Sequence, residues 1–160
     1  MPEKSIKVRA TASVANVSCG FDCIGYAIVE PADILKINLK DSPGLDITLS
    51  GTKADTITTV VKYNTAGKAI LSLLNNLGTN QGFNVHIEKG VPPGSGLGSS
   101  AASAAAAVVG VNELLGNPLK LEELLVHGMA GEAVSSGGFH ADNIAPVSYT
   151  HLTLPTSDLE

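Results

Sequence analysis

The chain has 160 residues, a net charge of −5 and an apolar content of 44%, with 4% aromatic residues and no tryptophan. That length suffices for one domain with a real core and does not require two, and the core must be built from Ala, Val, Leu and Ile. The apolar fraction excludes a disordered chain, and the lack of a Lys/Arg excess argues against nucleic acid as the main partner.

The first twenty residues, "MPEKSIKVRATASVANVSCG", hold no uninterrupted apolar region of the signal-peptide kind. Nothing further on reaches membrane-spanning length, since the alanine-rich tract from Ala101 to Val111 is bounded by Asn112 and Glu113. A cytoplasmic protein without a membrane partner is expected. Cys19 and Cys23 in "SCGFDC" lack the CxxC spacing of a zinc or redox site and read as two partly buried thiols.

The first half is β-rich. "SIKVRATA" alternates, "CIGYAIV" has the look of a buried run, and "DILKINLK" and "LDITLS" alternate around the turn "DSPG", together a meander of short strands. A helix is predicted from about Thr59 to Leu77, with Val60, Ala66, Ala69, Ile70, Leu73, Leu74 and Leu77 on one face and Gly78 as its stop. "GFNVHIEKG" sets Phe83, Val85 and Ile87 against Asn84, His86 and Glu88, the pattern of a half-exposed strand. Val91 to Gly98 is then a strand-to-helix loop, and a helix runs from about Ser99 to Leu115. Gly116 and Pro118 close it, and a second helix, "PLKLEELLVHGMAGEA", starts at that proline.

The loop, "VPPGSGLGSSAASAAAA", carries the chemistry. Its glycines allow positive φ and close approach of backbone to a ligand, while the alanines that follow are the best helix formers. A loop of this kind feeding a helix N-terminus suits an anion, above all phosphate. A P-loop needs GxxxxGK[ST], and no lysine precedes Ser99 or Ser100; a dinucleotide fingerprint needs GxGxxG, and Gly98 is misplaced for it. Considered alone, the stretch also fits a plain glycine-rich turn before a close-packed helix.

"PPGSGLGSSAA" resembles the signature loop of the GHMP kinases, over eleven positions. The resemblance implies an α+β fold, the GHMP kinase N-terminal domain, in which a mixed or antiparallel sheet carries packed helices. It implies ATP phosphates held by Pro92, Pro93, Gly94, Ser95, Gly96, Leu97, Gly98, Ser99, Ser100 and Ala101. It also implies that Ser99 or Ser100 reaches Mg²⁺, with Ser100 the favoured ligand.

Two further stretches resemble the homoserine kinase branch of that family. In "ATASVANVSCGFDCIGYAI" the resemblance implies that Asn16 and Asp22 meet an amino acid substrate; a carboxylate and an amide oxygen suit its ammonium group. By themselves these residues are ordinary turn formers beside glycine. In "GEAVSSGGFHADNIAP" it implies Glu132 as a second Mg²⁺ ligand, His140 shaping the substrate pocket, and Asn143 meeting the reacting hydroxyl, with Asn143 and Glu132 as the catalytic pair. Without the resemblance, Glu132 is a solvated helix end and His140 a loop histidine. Asp142 is the one nearby carboxylate, but homoserine kinases are thought to work without a dedicated base, so none is assigned.

The activity implied is ATP-dependent phosphorylation of the L-homoserine side-chain hydroxyl to O-phospho-L-homoserine, a step of threonine biosynthesis. A homodimer is compatible with it. The alternatives are a non-catalytic nucleotide-binding module and a GHMP kinase with another small-molecule substrate.

The resemblance stops near Val147. It implies an incomplete kinase over residues 1–147, without the family's C-terminal domain and its carboxylate-clamping arginines; no arginine follows Arg9 here. Residues 148–160 are expected to be an unrelated tail, like the translated sequencing adapters that end fragmentary gene predictions, although Tyr149 to Leu154 also alternates like a short strand ended by Pro155. Such a chain is expected to expose apolar surface, to self-associate and to turn over little.

Overall fold

The computed structural model describes residues 5–17, 19–137, 141–150 and 152–153. Two long antiparallel strands, β1 (Ser5–Val17) and β2 (Gly20–Lys40), begin the chain, followed by β3 (Leu45–Gly51), α1 (Thr65–Leu77), β4 (Gly82–Lys89), α2 (Ser99–Leu114), α3 (Leu121–Ser136), α4 (Ile144–Thr150) and β5 (Leu152–Thr153). The sheet order is β3-β4-β2-β1-β5, and only β3 with β4 runs parallel. This is the expected α+β architecture with a mixed sheet.

The expected meander is corrected. β4 inserts between β2 and β3, pairing antiparallel with Ile34–Lys40 on one side and parallel with β3 on the other. A parallel pair needs a crossover rather than a hairpin, and α1 supplies it. Hence "DSPG" joins two strands that are not neighbours. β4 itself keeps the predicted alternation, with Phe83, Val85 and Ile87 buried and Asn84 and Glu88 exposed.

"CIGYAIV" is also corrected. Ile24 and Tyr26 are each 50% exposed and Val29 66%. Among the described residues β4 pairs with β2 only from Ile34 onward, so within the sheet the first half of β2 has β1 as its partner, with Asp142 and Pro146 lying against Gly25. Cys19 is exposed rather than partly buried, and the Cys23 side chain lies outside the described residues.

The helices cover one face of the sheet. Their shared core includes Leu35, Ile37, Ile70, Leu73, Phe83 and Val111, all fully buried, each side chain contributing about 1.5–3 kcal/mol on burial. α2 is the central helix, touching α1, α3, α4, β1 and β2. Its alanines from Ala101 to Ala107 are all fully buried and Ser103 nearly so, which is why the tract is apolar all round rather than amphipathic.

Two helix starts differ from expectation. α1 begins at Thr65 rather than Thr59, because the Asn64 side chain accepts from Gly67 N at 3.1 Å and donates to Thr58 O at 2.8 Å. The preceding residues form a short 3₁₀ turn, Val61–Tyr63, and Val60 is half exposed. α3 begins at Leu121 rather than Pro118. Here Asn112 holds Leu119 by both its N–H and its carbonyl, at 3.2 and 3.0 Å, and Glu123 accepts from Lys120 N at 2.8 Å.

At the C-terminal end, Tyr149 and Thr150 finish α4 instead of opening a strand, with Ile144 and Val147 fully buried on the core. Leu152–Thr153 is extended and pairs with Arg9 and Ala10 of β1.

Candidate functional site

β4 ends at Lys89 and the chain turns through Gly90–Gly98 into α2. Gly94, Gly96 and Gly98 all have positive φ, at 73°, 77° and 65°. These are left-handed conformations that side-chain-bearing residues avoid. The loop is closed on itself by Ser99 Oγ donating to Val91 O at 2.9 Å and Ser95 N donating to Pro92 O at 3.3 Å. Gly98 is the N-cap of α2 and contributes no side-chain cap. Among the described residues, the N–H groups of Gly96, Gly98, Ser99 and Ser100 have no protein acceptor. They stand at the positive end of a 16-residue helix.

Below the loop lies a buried cluster that sequence reasoning missed. Lys89 forms an ion pair with Asp33, and their side chains are 2% and 0% exposed. Lys89 Nζ also donates to Ser99 O at 3.0 Å and to Ser103 Oγ at 2.8 Å. Asp33 in turn accepts from Gly90 N, Val91 N and Ser103 Oγ at 3.0, 2.9 and 2.8 Å. One carboxylate and one ammonium thus tie β2, the end of β4, the base of the loop and the first two turns of α2 together. Burial lowers the Lys89 pKa, and Asp33 opposes that shift. The available signal was a charged residue at each of two otherwise apolar strand positions, Asp33 in "PADILKI" and Lys89 ending "FNVHIEK".

A cavity of about 680 Å³ opens over the loop, within the usual size range for a small-molecule site. Of the expected phosphate-binding residues, Pro93, Gly94, Ser95, Gly96, Gly98, Ser99 and Ser100 line it. Pro92, Leu97 and Ala101 do not: Pro92 closes the turn onto Ser95, Leu97 packs toward the core and Ala101 is fully buried. Glu132 and Asn143 line the same cavity, so α3 and the turn before α4 meet the loop there.

Glu132 reaches this place because Gly131 lets α3 close on its neighbours. A Cβ at Gly131 would stand 2.4 Å from Thr65 O and 2.7 Å from Ala69 Cβ. Far from a solvated helix end, Glu132 is 5% exposed. Its pKa is pushed up to about 7, first by burial and then by the Asp142 carboxylate, against a hydrogen bond from the Ser100 side chain. The two residues expected at Mg²⁺ thus line one cavity. A buried carboxylate beside a hydroxyl is a hard oxygen pair of the sort Mg²⁺ takes together with phosphate oxygens and water. Among the described residues no group of three or more His, Cys, Asp or Glu could hold a metal ion.

Asn143 is placed by its own surroundings. Its Oδ1 accepts from Ser13 Oγ at 2.9 Å, and its N–H donates to Asp142 Oδ1 at 3.1 Å. The side chains of Asn16 and Asp22 lie outside the described residues, as does His140; the strands bearing the first two, β1 and β2, pair beside the cavity-lining Ala15.

The model of the GHMP kinase N-terminal domain matches residues 64–151. The chain belongs to the GHMP kinase family. Within that family it is similar to the homoserine kinase of Methanococcus vannielii, 42% identical over 154 residues, covering 96% of this chain and 51% of that protein. The crystal structure of homoserine kinase from Cytophaga hutchinsonii superposes with a TM-score of 0.89 at 43% identity, covering 96% of this chain and 49% of that one. A mevalonate kinase structure with a TM-score of 0.73 and 17% identity shares the GHMP kinase fold. The chain spans about half the length of the curated relatives it matches. Among the described residues of this GHMP kinase domain, no helix is long and apolar enough to cross a membrane.

Proposed function

We propose that this chain binds MgATP and serves the transfer of its γ-phosphoryl group to the side-chain hydroxyl of L-homoserine. The observation that carries the reading is one cavity bounded by the uncapped start of α2, by the Ser100–Glu132 pair and by the Asn143 amide. Its resemblance to homoserine kinases at 42–43% identity supports the choice of acceptor.

In this reading the N–H groups of Gly96, Gly98, Ser99 and Ser100 donate to the phosphate oxygens, and no lysine is needed inside the loop because the helix terminus supplies the positive field. Ser100 and Glu132 hold Mg²⁺, which when bound neutralises phosphate charge. Asn16 and Asp22 take the substrate ammonium, and His140 shapes that pocket. Asn143 meets the acceptor hydroxyl. The new O–P bond forms as the bond from the γ-phosphorus to the β–γ bridging oxygen breaks; ADP leaves, and the hydroxyl proton passes to an oxygen of the transferred phosphoryl group. Positioning and charge neutralisation supply most of such a step. Residues 1–147 form the ATP-binding domain, and residues 148–160 are a tail outside the chemistry.

The test is transfer of label from γ-³²P-ATP with L-homoserine as acceptor, against L-alanine, which lacks the hydroxyl. Slow, homoserine-dependent label transfer that is lost in Glu132→Ala supports the reading. Nucleotide binding with no transfer to homoserine would leave a binding module and overturn the kinase assignment for this chain.

A further inference from the structure

Ser13 lies within the stretch "ATASVANVSCGFDCIGYAI", where the resemblance gives it no role, yet it touches three parts of the site. It is fully buried. Its N–H donates to Leu97 O at 3.0 Å, which fastens the phosphate loop to β1. Its hydroxyl donates to Asn143 Oδ1 at 2.9 Å, across 130 residues of chain. Gly98, the cap of α2, sits against the same pair: a Cβ there would be 2.2 Å from Ser13 Oγ and 3.1 Å from Asn143 Oδ1.

The local strand geometry explains how a serine comes to this spot. Pairing of β1 with β2 is regular through Thr11↔Ala32 and then jumps to Ser13↔Ala27, with β2 bulging over Ile28–Pro31. Thr11, Ala12 and Ser13 are all buried in succession where a regular half-covered strand would alternate. A bulge beside a site re-aims a side chain, and here it coincides with a hydroxyl delivered to the junction of loop and turn.

We propose that Ser13 is a positioning residue that fixes which end of the Asn143 amide faces the reacting atoms. A carboxamide has an acceptor end and a donor end. Oδ1 is engaged by Ser13, so Nδ2 is the end left to enter the cavity that Asn143 lines. Asn143 then acts as a hydrogen-bond donor toward the acceptor oxygen or the transferring phosphoryl group, and not as a proton acceptor. Because Ser13 also holds Leu97, the same residue keeps the amide in register with the phosphate loop. The inference deepens the kinase reading and rests on it for the word "reacting"; the orientation itself stands on the hydrogen bond.

Side-chain amide spectra of the ¹⁵N-labelled 160-residue chain test the orientation without any turnover. The Asn143 Nδ2 signal is assigned by its disappearance in Asn143→Asp. In Ser13→Ala this signal should shift and exchange faster with solvent while the other asparagine signals hold, and Ser13→Thr, which keeps the hydroxyl, should restore it. An Asn143 signal indifferent to Ser13→Ala overturns the proposal. The rate of homoserine-dependent label transfer supplies the second readout. Ser13→Ala should lower kcat about tenfold to a hundredfold with little change in KM for ATP, Ser13→Thr should recover most of that, and Asn143→Asp should lose the rate although it still accepts from Ser13. Unchanged kcat in Ser13→Ala, or full rate in Asn143→Asp, contradicts the donor role. A wild-type chain with no transfer at all refutes the kinase reading instead, and the spectra then decide the orientation alone.

Discussion

α2 and α3 are both 16 residues long and lie side by side, but their N-termini are built in opposite ways. α3 opens with Glu122 and Glu123 in its first turn, and the Glu123 carboxylate turns back to accept from Lys120 N. α2 opens with a left-handed glycine, no acidic residue and no side-chain cap. Two serines follow, which elsewhere would cap a helix, yet Ser99 donates to Val91 O and Ser100 lines the cavity together with Glu132. A helix end without such partners is costly unless something satisfies it. α3 answers its own dipole, whereas α2 leaves its donors for an anion and spends its buried interactions on fixing where that end points.

Breaking the support under α2 should have the largest effect. Asp33→Ala strands the Lys89 ammonium in the core and orphans Gly90 N and Val91 N, so denaturant unfolding should show a loss of about 3–5 kcal/mol. Replacing both partners with apolar residues of similar volume, Asp33→Leu with Lys89→Met, should recover much of it. Equal losses in the single and double variants would mean the pair is not the unit described here.

Gly98→Ala comes next. It forces a Cβ onto Ser13 Oγ at a residue with φ of 65°, costing about 2–4 kcal/mol from backbone strain and overpacking together. It should also weaken nucleotide binding, and wild-type affinity in a folded Gly98→Ala chain would separate the cap from the site.

The pH dependence of Glu132 sharpens the contrast with the exposed acids of α3. Its folded-state pKa is raised from 4.5 to about 7, so the folded chain holds this proton more tightly than the unfolded chain does. The stabilisation is therefore complete at low pH and is lost as pH rises from about 4.5 to about 7, amounting to at most about 3 kcal/mol. Unfolding free energies measured at pH 5 and pH 8 should fall less in Glu132→Gln than in wild type. Parallel slopes would show that Glu132 is not held neutral.

The smallest effect belongs to the end of α3. Glu123→Ala should cost about 1 kcal/mol and leave nucleotide binding untouched, because α3 starts outside the cavity.

The sequence showed the loop well, because glycine at 94, 96 and 98 is demanded by backbone geometry that glycine alone adopts freely. It showed α2 for a similar reason, since an alanine run broken only by Ser103 has few other uses. The strand order was not legible: β3 and β2 alternate in a way that suits hairpin and crossover alike, and the decision is made by β4, more than thirty residues downstream of β3. The apolar run at Ile24–Val29 was misread because apolar content reports burial only where something covers the strand. In the site, Ser100, Glu132 and Asn143 were reached through motif resemblance. Asp33, Lys89 and Ser13 were not, since their roles come from contacts 56, 14 and 130 residues apart along the chain, and no local spacing records such contacts.

The most direct test of the central claim is a calorimetric titration of the folded wild-type chain with ATP and with adenosine. If the uncapped start of α2 is a phosphate site, ATP binds and adenosine binds at least about tenfold more weakly, a difference of roughly 1.4 kcal/mol or more. Equal affinity for the two ligands, or no binding of ATP by a folded chain, would contradict it.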